Sequence, residues 1–345
     1  MPRRRLTHLA LQAALGLLLG PAAPAGAQPA ATTIPFSPYK DVSLGIDPAH
    51  PRIATAVRGA GPQALPGGPG WPAGLQALTW AFATGECGDE RWGPFDTAAF
   101  AGLNVSAFAA AKIGYTVATG GEAGIFTCAS AAGMTRFMAR YESPQLQGYD
   151  FDIEGVQTDA QIDSLMQQIR GAQLRRPGLQ WRFTLATHAA DDGSLQSLNR
   201  TGERVLAALA AAGVQDPVIN LMVMNYGPAA PRHCVRRGAD CDMGASALQA
   251  ARNVQQRYGL PLSRIALTPM LGVNDVARNV FTLDDARRLA QDARQAGLAG
   301  VHFWSLDRDR SCADDGTGLS PLCHGLPGLP ALQFSQTLWR ALQPP

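Results

Sequence analysis

The chain has 345 residues, 46% of them hydrophobic, with only 16% charged side chains and a formal net charge of +2. Its basic residues are scattered rather than clustered, so it carries no electrostatic footprint for a nucleic acid. The even set of six cysteines points to an oxidising compartment, because disulfides persist there and not in a reducing cytosol.

Taken in chain order, the sequence opens with Arg3, Arg4 and Arg5, followed by an apolar run over Leu9–Leu19. Ala25 and Ala27 then frame a small-residue A-x-A site, which is the layout of a signal peptide (residues 1–27) cleaved after Ala27. The run is shorter than the roughly 20 residues that a membrane span needs, and no later stretch is longer. The mature chain is therefore expected to be exported, with no membrane contact after cleavage. Residues 28–37 read as a polar leader rich in Pro, Ala and Thr, and residues 38–345 as one domain.

Short β-type runs follow at Val42–Leu44, Leu78–Ala83, Ile113–Thr119, Tyr149–Glu154, Arg182–Ala186, Val218–Met224, Ile265–Met270 and Gly300–Leu306. Between them lie helix-period segments, among them Ser130–Tyr141, Asp159–Ala172, Gly202–Ala212, Ala245–Tyr258 and Leu283–Ala296, with a last helix near Ala331–Leu342. Strands alternating with helices in this number predict an α/β fold of the (β/α)8, or TIM-barrel, type. A doubly wound open sheet would want a Gly-rich phosphate loop after an early strand, and none is present. The Pro- and Gly-rich stretch Pro62–Gly74 reads as a loop, and there is no internal repeat. Among the cysteines, Cys234 with Cys241 and Cys312 with Cys323 would each staple a short loop, leaving Cys87 with Cys128 by elimination. Zinc is the competing use, but no Cys-x-x-Cys or Cys/His cluster of ligand spacing occurs.

The most informative segment is Gly148-Tyr149-Asp150-Phe151-Asp152-Ile153-Glu154-Gly155. Side chains alternate faces along a strand, so Asp150, Asp152 and Glu154 share one face and the apolar residues the other. In a barrel the apolar face packs outward on helices and the acids point inward. Carboxyls held close oppose joint ionisation, so at least one keeps its proton near neutral pH. A protonated carboxyl at the C-terminal end of a barrel strand is what general-acid catalysis requires. The alternatives are a solvated acidic face on an edge strand, which position in a parallel series disfavours, and a hard-cation site, for which the usual Gly-interrupted loop is missing.

This segment resembles the D-x-x-D-x-D-x-E signature of glycoside hydrolase family 18, with Gln147 standing where the first acid is usual. Four further segments match that family in order. Tyr115–Gly121 resembles its strand ending in S-x-G-G, and Met222–Gly227 resembles M-x-M-D-Y-G with Asn225 in place of the Asp. Thr268–Asp275 and Phe303–Asp309 are similar to the T-P-M-I-G-V-N-D and F-W-S-L-N-R-D strand ends of a bacterial and archaeal chitinase subgroup. The resemblance implies a retaining, substrate-assisted hydrolase, an exception to the two-carboxylate rule. Glu154 would be the proton donor, Asp152 would orient the 2-acetamido group, and Asp150 would share a proton with Asp152. It further implies a sugar platform at Trp304, an acetamido donor at Tyr226 and packing by Met222. Asp275 would contact a sugar hydroxyl, and Gly120 and Gly121 would allow close backbone approach. Asn225 is expected to lower the pKa of Glu154 by removing a nearby negative charge. The implied partner is chitin or a chito-oligosaccharide, acted on by a monomer with no cofactor and no metal. A chitin-binding lectin that has lost its chemistry and an endo-β-N-acetylglucosaminidase acting on N-glycans are the competing functions.

Overall fold

The structure, a computed structural model, describes residues 1–2, 34–59, 61–276, 278–312 and 319–344. The expected signal peptide from residue 3 and the leader up to residue 33 lie outside these residues. Eight parallel strands run in sequence order around one sheet: β1 (Tyr39–Asp41), β2 (Ala77–Ala83), β3 (Gly114–Gly120), β4 (Leu146–Asp152), β5 (Gln180–Ala186), β6 (Val218–Met222), β7 (Ile265–Thr268) and β8 (Gly300–Val301). The ring closes because Phe36 pairs in parallel with Val301, and Tyr39 N donates to Phe303 O at 3.0 Å. Seven helices among the described residues cover the outside: α1 (Thr97–Ala111), α2 (Ala131–Arg140), α3 (Asp159–Arg175), α4 (Arg200–Ala212), α5 (Met243–Tyr258), α6 (Leu283–Ala296) and α7 (Gln333–Leu342). The link from β1 to β2 carries no helix but a small hairpin pairing Ala54–Thr55 with Gln63–Ala64. The expected (β/α)8 barrel is therefore what forms. No helix among the described residues is long and apolar enough to cross a membrane.

Local chemistry explains where the helices start and stop. Asp96, Ser130, Thr158, Asn199, Asp242 and Thr282 each accept a backbone N–H in the first turn of α1 to α6, satisfying donors that a helix start leaves free. Gly213, Gly259 and Gly297 end α4, α5 and α6 in the left-handed conformation. The last helix, α7, is capped from a distance. Asp309, past β8, accepts from Phe334 N at 2.9 Å and Ser335 N at 2.7 Å.

The outward faces of the strands form the core with the helices. Tyr149, Phe151 and Ile153 of the acidic segment pack there, and Phe151 stacks on Phe183 with ring centroids 5.5 Å apart. Burying side chains of this size contributes about 1.5–3 kcal/mol each.

The expectations for the first and eighth strands need correction. The first strand is Tyr39–Asp41, not Val42–Leu44. Lys40 in its middle is fully buried and ion-paired with Asp307 at 3.0 Å. The structure also brings the end of the leader into the barrel, since Val301 N donates to Pro35 O at 2.9 Å and Phe36 forms the seam. Where the eighth strand was expected to reach Leu306, regular pairing ends at Val301, and Leu306–Arg308 is a 3-10 turn. The cysteines pair as Cys87–Cys128, Cys234–Cys241 and Cys312–Cys323, so none of these sulfurs is free for a metal.

Candidate active site

A cavity of about 400 Å³ opens at the C-terminal ends of the strands, where barrels of this type carry their sites. Asp152 and Glu154 line it, together with Met222, Asn225, Asp275 and Trp304, all singled out in the sequence. Asp150, Tyr226, Gly120 and Gly121 are not among its lining residues.

Asp150 lies one layer deeper and is fully buried. Its Oδ1 accepts from Thr184 Oγ1 at 2.6 Å, its Oδ2 accepts from the Tyr39 hydroxyl, and Arg182 Nε stands 3.1 Å from Oδ2. Burial and the Asp150 charge raise the Tyr39 phenol well above its ordinary value, so it stays a donor. Asn220 Nδ2 supports Tyr39 Oη at 3.0 Å and Thr184 Oγ1 at 2.9 Å, while its Oδ1 accepts from Thr268 Oγ1 at 2.9 Å. Arg182 also donates to Thr79 Oγ1 at 3.1 Å and to His302 Nε2 at 2.5 Å. A guanidinium only donates, so Nε2 is the acceptor and the His302 proton sits on Nδ1, 2.9 Å from Ser37 Oγ. Asp150 is thus a neutralised anchor under Asp152.

Asp152 is 4% exposed, and its Oδ1 has no hydrogen-bond partner in the protein. Burial first, then the charges of Glu154 and Asp150, push its carboxyl well above the usual range. Glu154 lies two residues beyond the end of β4, not on it. Burial, followed by the Glu122 carboxylate, raises it to about 7. It is an acid poised to hold and release a proton near neutrality.

Gly120 and Gly121 act from behind the cavity. Both have positive φ, +86° and +81°; a Cβ on Gly120 would lie 2.0 Å from Asp152 O, and one on Gly121 would lie 2.8 Å from the Phe82 ring. Gly120 thus lies close against the acidic strand, and Gly121 against the Phe82 ring of β2. Trp304 forms an aromatic floor with Phe82, stacked at 5.5 Å and 19°, and with Tyr39 at 6.2 Å. Ala81 and Ala118 share that small interior cluster. Tyr226 is 1% exposed with its hydroxyl unpartnered.

Asn225 is more than a missing carboxylate. Its φ of 52° is left-handed, which Asn tolerates better than most residues. Its Nδ2 donates to Asp275 Oδ2 at 2.9 Å, and its Oδ1 accepts from Val276 N at 3.1 Å. The site uses both ends of the amide, so Asp275 faces Asn225 in addition to the cavity. Arg308 holds the same loop by donating to Leu271 O at 3.0 Å and Val273 O at 2.6 Å. Gln147 lies elsewhere, lining a separate cavity at the N-terminal end of the barrel. Sequence reasoning missed Tyr39, Phe82, Glu122, Thr184, His188 and Asn199, which also line the site cavity. Tyr39, Phe82 and Thr184 lie on three different strands, Glu122 on the turn after β3, and His188 and Asn199 on the loop after β5, so they carry no local pattern.

No family model matches the chain. Over 138 residues (37% of this chain), it is 38% identical to a probable bifunctional chitinase/lysozyme of Escherichia coli K12, covering 15% of that protein. Over 124 residues (34% of this chain), it is 34% identical to endochitinase 11 of Metarhizium anisopliae, covering 24% of that protein. The chain thus spans less than a quarter of the length of either curated relative. Among solved structures, the catalytic domain of a hyperthermophilic chitinase from Pyrococcus furiosus superposes with a TM-score of 0.66 at 24% identity, covering 90% of this chain and 97% of that one. Catalytic-site mutants of active domain 2 of a thermostable P. furiosus chitinase, complexed with chito-oligosaccharides, match with the same TM-score of 0.66. The likeness to these solved structures shows the (β/α)8 fold, and the sequence kinship over about a third of the chain is to two chitinases.

Proposed function

We propose that the chain is a chitinase, hydrolysing β-1,4-linked N-acetylglucosamine polymers or oligomers with retention through the substrate's own acetamido group. The observation that carries this reading is one pair of residues in one cavity. Glu154 is an acid raised to about 7, beside Asp152, a buried carboxyl with an oxygen that no protein group satisfies.

In the first half-reaction Glu154 gives its proton to the glycosidic oxygen as the bond from that oxygen to the anomeric carbon breaks. The acetamido oxygen forms a new bond to the same carbon, closing an oxazolinium ring. Asp152 accepts the acetamido N–H at its free oxygen and offsets the positive charge that grows on the ring. In the second half-reaction Glu154, now ionised, takes a proton from a water that attacks the anomeric carbon, and the ring reopens. Trp304 and Phe82 supply the flat apolar floor on which C–H groups of a sugar pack, with Met222 beside them. Asp150 and its Arg182 partner fix the height of Asp152. The unpartnered hydroxyl of Tyr226 is assigned to the acetamido carbonyl, and Asp275 to a sugar hydroxyl. Every role in this scheme falls to a side chain or to the substrate.

The same proposal includes export through residues 1–27 and action as a monomer. Three disulfides support the export. The test is to incubate the mature protein with chito-oligosaccharides and with a high-mannose glycoprotein, beside the Glu154→Gln variant. Cleavage of the oligosaccharides, lost in the variant, is expected. Binding without cleavage would identify a lectin, and glycan release alone an endo-β-N-acetylglucosaminidase.

A further inference from the structure

We infer that Glu122, on the turn after β3, is a positioning residue for the proton of Glu154, its carboxylate charge opposing ionisation of the donor from the neighbouring strand. This rests on the reading of Glu154 as proton donor.

The first support is register. β3 and β4 pair in parallel with Gly120 opposite Asp152. Glu122 and Glu154 each follow two residues later, and neighbouring strands lie about 4.8 Å apart. The turn that carries Glu122 is fixed by the two left-handed glycines and by Gly121 N, which donates to Asp152 O at 3.3 Å. Both carboxyls line the same cavity.

The second support is what the other elements bring to Glu154. From β4, Asp150 is ion-paired with Arg182, and the Asp152 carboxyl is raised by burial and by the charges of Glu154 and Asp150. Past β5, burial and then His233, stacked on it at 5.4 Å, lower the His188 imidazole below its ordinary value. Past β6 stands the uncharged amide of Asn225, and past β7 stands Asp275, already accepting from that amide at 2.9 Å. β1, β2 and the segment after β8 contribute Tyr39, Phe82 and Trp304, and among the described residues no Lys or Arg lines the cavity. Glu122 is exposed and makes no hydrogen bond or ion pair among the described residues. It is the free anion of the group, and its charge is the largest cause after burial of the raised Glu154 carboxyl. The negative charge that position 225 lacks is supplied from the adjacent strand.

The experiment is the pH dependence of kcat/KM on a soluble chito-oligosaccharide for the parent, Glu122→Gln and Glu122→Asp, with Glu154→Gln alongside. In Glu122→Gln the alkaline limb should move down by roughly half to one pH unit. Relative to its own plateau, activity on that limb then falls roughly three- to tenfold. Glu122→Asp keeps the charge and should keep the parent limb. High salt should shift the parent limb towards that of Glu122→Gln by screening. A carboxyl NMR titration of Glu154 reads the same displacement without turnover. If Glu154→Gln is inactive and the limb is unmoved in Glu122→Gln, the inference falls and the donor reading stands. It falls equally if Gln and Asp move the limb alike, since shape and not charge would then be responsible. Full activity in Glu154→Gln removes the donor reading itself.

Discussion

Towards the N-terminal end of the barrel the interior is polar and its charges are partnered, whereas the C-terminal mouth leaves its acids alone. In the lower layer Asp150 has Arg182, Tyr39 and Thr184, and Arg182 in turn has His302 and Thr79. In the upper layer Asp152 Oδ1 and the Tyr226 hydroxyl are buried with no partner, and Glu154 is raised to about 7. Buried polar groups are normally satisfied, and an unsatisfied one costs about 1–3 kcal/mol. The lower layer is therefore built for rigidity, and the upper layer keeps a deficit that a ligand can fill.

The comparison can be broken at four points. Glu154→Gln removes both the proposed proton donor and the proposed base, so hydrolysis of a chito-oligosaccharide should fall by roughly a thousandfold or more while calorimetric binding persists. Arg182→Met leaves Asp150 buried and unpaired, and chemical denaturation should show a loss of about 3–5 kcal/mol. Equal stability in that variant would mean that the lower layer is not held by its charges. Asn225→Asp replaces a donor to Asp275 with a second carboxylate, so a stability loss of roughly 1 kcal/mol is expected together with an alkaline limb moved upward. A pH–rate profile identical to the parent's would refute this. The smallest effect is expected from Asp152→Asn and is one of sign. The folded carboxyl sits above its unfolded value, so its contribution favours folding at low pH and is lost as pH rises through the folded pKa. The Asn variant should therefore have a Tm nearer to, or above, the parent's on the alkaline side, even though its activity drops.

The contrast also explains which parts of the molecule could be read in advance. The three acids declare themselves because they lie on one strand, where period-two alternation is a local property. The strand order and most helix limits follow for the same reason, and Leu283–Ala296 is matched end to end. What the chain conceals is pairing over distance. Arg182 looks like an ordinary strand-start residue until β5 lies beside β4 and places it opposite Asp150. Lys40 hides the first strand because a buried lysine is legible only once Asp307, far along the chain, is beside it. Asn225 reads as a lost charge, while its left-handed backbone and two-ended amide bonds emerge only from the loop conformation. Glu122 follows two glycines and has no motif of its own.

The disulfides bear on this division in one more way. Cys87–Cys128 joins the loops after β2 and β3, Cys234–Cys241 closes the loop after β6, and Cys312–Cys323 closes the loop after β8. All three fasten the rim that carries the acids, and none crosses the opposite end. The barrel wall is kept by hydrogen bonds and packing, which no reductant touches, and the rim is kept partly by bonds that one can cut. A thiol in the medium would thus loosen the rim selectively while the cylinder beneath it still stands.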